Sequence, residues 1–163
     1  MLLRTLSAGI ALGMLTALPA SAQTDEPEGR RLAGILFETI DADGSGDLSY
    51  GEMIDFSVQV LAAADSNADG ALTYDEFVVW DFGMQNIATT ENREQALGAT
   101  LSLVFDLWDR DNDDTITLAE FERGVVSGTD YADLNGDRTL SRDEFLDGFI
   151  TNIAFRSGLR TDR

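Results

Sequence analysis

An all-α array of helix-loop-helix units, arranged as two pairs of closely spaced loops, is the fold class this sequence predicts. Three observations lead there. Four twelve-residue acidic windows align without a gap along the 163 residues. Apolar residues at helical spacing flank the windows. The strand signal is confined to one aliphatic residue inside each window, which suits a very short strand that pairs two loops over a core.

The windows are DADGSGDLSYGE at 41–52, DSNADGALTYDE at 65–76, DRDNDDTITLAE at 109–120 and DLNGDRTLSRDE at 133–144. Position 1 is Asp in each: Asp41, Asp65, Asp109 and Asp133. Position 3 is Asp43, Asn67, Asp111 and Asn135, and position 5 is Ser45, Asp69, Asp113 and Asp137. Position 9 is Ser49, Thr73, Thr117 and Ser141. Position 12 is always Glu: Glu52, Glu76, Glu120 and Glu144. The aliphatic residue at position 8 is Leu48, Leu72, Ile116 or Leu140.

Short oxygen-bearing side chains at alternate positions let a tight loop wrap oxygen around one point. A longer Glu at the end reaches back with two oxygens. Calcium is a hard cation that takes six to eight such ligands. One acidic run alone would read equally as a solvated turn; four in register, each with its Glu and its aliphatic residue, do not.

These windows resemble the calcium loops of the EF-hand superfamily, and more narrowly those of bacterial secreted or periplasmic proteins with EF-hand pairs. Dockerin loops are also similar, but they usually carry Asp at position 12 and lack the entering helix. The resemblance covers about 115 residues, the four loops with their flanking helices. It implies Ca²⁺ as the bound ion, with ligands from positions 1, 3, 5, 9 and 12 of each window. Position 7 ligates through its backbone carbonyl, which places Asp47, Ala71, Thr115 and Thr139 in the same set. Position 9 holds a bridging water or ligates directly.

Two departures from the family pattern matter. The third and fourth windows lack Gly at position 6 and have Asp114 and Arg138 there. That position needs positive φ, which costs a side-chain-bearing residue about 1–2 kcal/mol. The fourth site is therefore expected to be the weakest. Loop starts also lie only 24 residues apart within each pair. Residues 53–64 span about 18 Å as helix, too little for an exit helix, a turn and an entry helix. One shared helix is expected there, and loops at its two ends would have to pair across the halves. In the second spacer, 121–132, Ser127-Gly128 reads as a break followed by a stub of helix.

The helices carry the expected core. Ile35, Phe37 and Ile40 precede the first loop on a stretch from about Arg30. Leu101, Val104, Phe105 and Trp108 precede the third at i, i+3, i+4, i+7. Their helix is expected to start near Thr89 or Thr90. Phe77, Val78, Trp80 and Phe82 follow the second loop, and Phe145, Phe149, Ile150 and Ile153 form a last helix.

Charge and composition narrow the function classes. The chain has 30 Asp plus Glu against 11 basic residues, all Arg, and no His or Cys. Zinc sites built on Cys or His, and Cys or His nucleophiles and bases, are excluded. A net charge of −19 disfavours nucleic acid and anionic membrane as partners. No Gly-rich phosphate loop, Ser elbow or cofactor motif is present, and no enzymatic activity is expected.

Residues 1–22 read as a signal peptide. Arg4 precedes an apolar run from Leu6 to Leu18, Pro19 breaks it, and Ala20-Ser21-Ala22 forms a small-x-small cleavage site. Cleavage after Ala22 would give a secreted or periplasmic protein, free of the membrane, with 10 Arg against 30 acids and a net charge of −20. The expected organisation is a flexible acidic tail at 23–29, an EF-hand pair at 30–82, a hinge at 83–90, a second pair at 91–156 and a tail at 157–163. Calcium binding with a structural or buffering role and calcium-coupled folding is the expected function. The alternative is a sensor or adaptor that docks a protein partner through an apolar groove.

Overall fold

The structure, a computed structural model, describes residues 27–79 and 83–160. Among these residues the chain forms eight helices and four three-residue strands. They are α1 (Glu28–Ile40), β1 (Asp47–Ser49), α2 (Tyr50–Ala64), β2 (Ala71–Thr73), α3 (Tyr74–Val79) and α4 (Met84–Glu91). After these come α5 (Glu94–Trp108), β3 (Thr115–Thr117), α6 (Leu118–Ala132), β4 (Thr139–Ser141), α7 (Arg142–Gly148) and α8 (Ile150–Leu159).

The short spacers decide the topology. Residues 53–64 do form one helix: α2 leaves the first loop and enters the second without interruption. Its buried Met53, Ser57, Val60, Leu61 and Ala64 follow helical spacing. At 15 residues it is about 22 Å long. Paired strands lie about 4.8 Å apart, so β1 and β2, at opposite ends of α2, cannot meet. Each strand instead pairs across the halves. β1 runs antiparallel to β4, with Leu48 opposite Leu140, and β2 antiparallel to β3, with Leu72 opposite Ile116. These four aliphatic side chains are essentially inaccessible. Burying each contributes about 1.5–3 kcal/mol. The two shared helices, α2 and α6, pack on each other, and the ladders bind the halves at both ends. The expected division into separate pairs at 30–82 and 91–156 therefore has two sheets crossing it.

Several sequence expectations need correction. Ser127-Gly128 is not a break, because α6 runs unbroken through it. Gly128 is there for close approach: a Cβ on it would lie 2.8 Å from the Phe149 ring. Gly124 plays the same part against Trp108, at 2.7 Å. The hinge expected at 83–90 holds α4, whose Met84 and Ala88 are buried in a second apolar cluster with Leu97, Leu101 and Leu159. Asn92, at positive φ, ends α4, so α5 starts at Glu94 and not near Thr89 or Thr90. The last helix is two helices. Phe149 breaks it at extended ψ, and α8 answers the freed carbonyls of α7 through Asn152 Nδ2 to Phe145 O (2.9 Å) and Arg156 Nη1 to Leu146 O (2.5 Å). Ile35 and Ile150 are exposed rather than core. Glu28 and Gly29, expected in a flexible tail, open α1, and Ser157 to Leu159 close α8. Trp80 and Phe82, the signal peptide and residues 161–163 lie outside the described residues.

The other core residues read from the sequence are buried or half-buried, and Met53, Val60, Leu61, Phe121 and Val125 join them. Phe37, Phe145 and Phe149 cluster at ring separations of 5.8 and 5.5 Å. Trp108 lies 4.5 Å from Phe121 and 6.1 Å from Phe77. Arg30 and Arg156 converge on Asp147, tying α1 and α8 to α7. Beside it, Arg142 pairs with Glu38 and lies over the Phe37 ring.

The close approach at Gly124 yields a test. Gly124→Ala raises helix propensity, yet its methyl must displace the Trp108 ring. The overlap is expected to win, with a net destabilisation of about 1–3 kcal/mol. Denaturant unfolding in saturating calcium measures it, and an equal or higher midpoint would show that Trp108 moves freely.

Candidate metal centres

In all four loops the Glu at position 12 fastens the loop's entry to its exit. Glu52 Oε1 accepts from the Ala42 and Asp43 N–H groups at 2.9 and 3.4 Å, while Oε2 accepts from the Ser49 N–H and hydroxyl, both at 2.8 Å. Glu76 does the same with Ser66, Asn67 and Thr73. Glu120 repeats it with Arg110, Asp111 and Thr117. Glu144 bonds Leu134 N–H at 3.1 Å and Ser141 through both N–H and hydroxyl.

The Asp at position 1 gathers the middle of the loop. Asp41, Asp65, Asp109 and Asp133 each accept from the N–H groups of positions 5 and 6 at 2.9–3.2 Å. Position 3 accepts from position 5 in three loops, through Asp43, Asn67 and Asn135. Position 5 accepts from the position 7 N–H through Asp69, Asp113 and Asp137. Ser45 differs: its hydroxyl donates to the Asp47 carbonyl at 2.9 Å, a carbonyl that belongs to the expected ligand set. Asp47, Ala71, Thr115 and Thr139 stand at the first residue of each strand.

Carboxylate oxygens of Asp41, Asp43 and Glu52 lie within 4.8 Å of one another, and so do those of Asp109, Asp111 and Glu120. In the second and fourth loops an amide oxygen, from Asn67 or Asn135, replaces one carboxylate. The donors are all oxygen, with no nitrogen or sulfur among the expected ligands, as a hard cation requires. The Asp111 carboxyl is raised above its ordinary value by desolvation within the loop and by the charges of Asp113, Glu120 and Asp109. Donated hydrogen bonds act the other way at position 12. Glu76 is held down to about 2, chiefly by the Thr73 N–H and the Ser66 hydroxyl, and Glu120 to about 2 by the Thr117 hydroxyl and N–H. Both are charged at neutral pH and present two anionic oxygens to an ion.

Position 9 has a role that the ligand pattern concealed. Ser49, Thr117 and Ser141 are helix N-caps, each in a full capping box with its position 12 Glu. Thr73 and Glu76 make the same reciprocal bonds. The S/T-x-x-E spacing carried this signal.

Backbone strain is distributed unevenly. Positions 4 and 6 are both left-handed: Gly44 and Gly46, Ala68 and Gly70, Asn112 and Asp114, Gly136 and Arg138. The demand at position 4 was not read from the sequence. Arg138, at φ +71°, carries a cost of about 1–2 kcal/mol. Arg138→Gly is expected to stabilise the calcium-saturated protein by about 1 kcal/mol, after the larger unfolded-state entropy of glycine is subtracted. Unfolding midpoints of the two proteins measure this; no gain would mean that Arg138 makes compensating contacts.

The family model of the EF hand matches residues 33–57 and 58–79. The boundary between the two matches falls inside α2, as a helix shared by two units requires. No curated protein and no solved structure matches the chain. Helix, acidic loop, three-residue strand and capped helix recur at all four windows, and the match over residues 33–79 supports membership of the EF-hand superfamily, whose domains bind Ca²⁺.

Proposed function

We propose that all four loops bind calcium and that the protein acts outside the cytoplasm as a structural or buffering calcium binder whose folding is coupled to the ion. The observation that carries this reading is the common closure of the four loops by Glu52, Glu76, Glu120 and Glu144. Each loop then offers the six positions expected of it, and four ions would move the charge of residues 23–163 from −20 to −12. Self-repulsion at −20 opposes compaction, so the ions favour the folded state. No catalytic role is assigned, because the gathered carboxylates are accounted for as ligands.

A sensor that opens a Met-lined groove fits less well. Met53 and Met84, the two methionines among the described residues, are buried at 2% and 5% exposure. Moderate affinities also suffice outside the cell, where calcium modules work at about 10⁻⁴–10⁻³ M.

Calcium titration followed by calorimetry, with magnesium as control, is expected to show three or four saturable sites with a large heat of coupled folding. Absence of heat at millimolar calcium would remove the binding reading. Far-UV circular dichroism that ignores a chelator would remove the coupled folding. The same titration followed by amide NMR tests the pairing. Glu52→Gln should weaken the 133–144 loop, its ladder partner, more than the 65–76 loop nearer in sequence. The reverse order would assign coupling to α2 instead.

The extracytoplasmic part rests on the Arg4, Leu6–Leu18 and Ala20-Ser21-Ala22 pattern. N-terminal sequencing of the exported protein is expected to begin at Gln23; a chain that retains Met1 would overturn it.

A further inference from the structure

A hollow of about 270 Å³, partly open to solvent, lies among the helices, with residues from all eight in its lining. Its lining is overwhelmingly apolar and includes Met53, Phe56, Met84, Trp108 and Phe155. Protein interiors hold few voids larger than a water molecule. An apolar cavity of about 150 Å³ already stays dry and accepts benzene. Its wall includes the exposed Ile35 and Thr39, and its volume suits a slender molecule rather than a peptide helix about 10 Å across.

A second hollow adjoins the first and shares Gly29, Arg156 and Leu159 with it. Its character is opposite. Arg30, Arg156 and Arg160 line it, against Glu28 and Glu91. Three guanidinium groups thus gather beside the cavity in a chain with only 11 basic residues and a net charge of −19. Arg30 and Arg156 are held in place by Asp147. The first turn of α1, which has no side-chain cap, also lines this cleft. The positive end of α1 favours an anion there. None of the proposed calcium ligands lines either hollow.

We propose that the protein binds one single-chain carboxylate amphiphile, with its aliphatic chain in the apolar hollow and its carboxylate in the arginine cleft. The apolar wall supplies affinity without direction, and the guanidinium cluster fixes which end points outward. Leu72 and Trp108 in its lining adjoin the calcium loops, so the site is tested in the calcium-saturated protein.

Decanoate below its micelle concentration, titrated into the calcium-saturated protein by calorimetry, is expected to bind at one per chain. Ala33→Leu fills the cavity from α1, where Ala33 is 6% exposed, and should abolish binding. Its circular dichroism and calcium titration report whether the fold survives. Arg160→Gln, a surface change in the cleft, should weaken decanoate about tenfold. No saturable decanoate binding, or equal binding by a folded Ala33→Leu variant and by Arg160→Gln, would overturn the proposal. Flotation with phosphatidylglycerol vesicles separates the sources of the chain. Retention that Ala33→Leu loses would assign the cavity to a membrane-lipid acyl chain, and retention that it keeps would count against the cavity.

Discussion

One carboxylate per loop links the ends of the loop and starts the helix that follows. The Glu at position 12 takes N–H groups from the loop's entry on one oxygen and the cap residue's N–H and hydroxyl on the other. Removing it would free the loop entry, uncap the next helix and delete a bidentate ligand together. That threefold use explains why Glu stands at all four positions while positions 3 and 5 alternate among Asp, Asn and Ser. Asp is a methylene shorter and would reach the cap residue or the loop entry less readily than it reaches one of them alone. The bonds hold the two oxygens where an ion would meet them.

The second constraint is length. A shared helix between loops cannot return the chain on itself, and the short strands must find partners elsewhere. The result is an interlocked body. α2 and α6 lie side by side, each carrying a loop at either end, and the two ladders join those ends. Each buried pair, Leu48 with Leu140 and Leu72 with Ile116, sits directly above the loops it joins. A loop that loosens exposes its own aliphatic residue and its partner's. Neither half can be expected to bury its position 8 residues alone, which is why a boundary near residues 83–90 does not separate two folding units.

Much of this was legible in the sequence, because loop chemistry is local. Position, residue type and spacing identify the four windows, and arithmetic on residues 53–64 identifies the shared helix. What escaped was set by tertiary contact. Ser127-Gly128 has the composition of a turn, but the Phe149 ring needs the space that a side chain at 128 would fill. Residues 83–90 are polar enough to read as a linker, yet Met84 and Ala88 find an apolar partner in Leu159, 71 residues or more away in sequence. Phe145, Phe149, Ile150 and Ile153 read as one last helix, but the side chains of Asn152 and Arg156 reward a break at Phe149. The cap role of Ser49, Thr73, Thr117 and Ser141 was visible in the S/T-x-x-E spacing and was hidden only by a competing assignment as ligands.

The pairing also gives the uneven strain a consequence. Gly46 and Gly70 meet the left-handed demand at position 6 without cost, whereas Asp114 and Arg138 do not. Loops neighbouring in sequence share this property: the first two have the glycine and the last two lack it. Had neighbours paired, one ladder would join the two loops with glycine at position 6 and the other the two without it. The observed ladders join Gly46's loop to Arg138's and Gly70's to Asp114's. Each loop that lacks glycine at position 6 is thereby held by a strand of a loop that has it, although Ala68, at φ +59°, leaves the second loop its own left-handed residue at position 4. Ordering the member that has the glycine fixes half of the ladder and buries its aliphatic residue, which lowers the entropy still to be lost when the other member closes. The cross-half topology, imposed by helices too short to turn back, spreads the cost of the two missing glycines over both pairs.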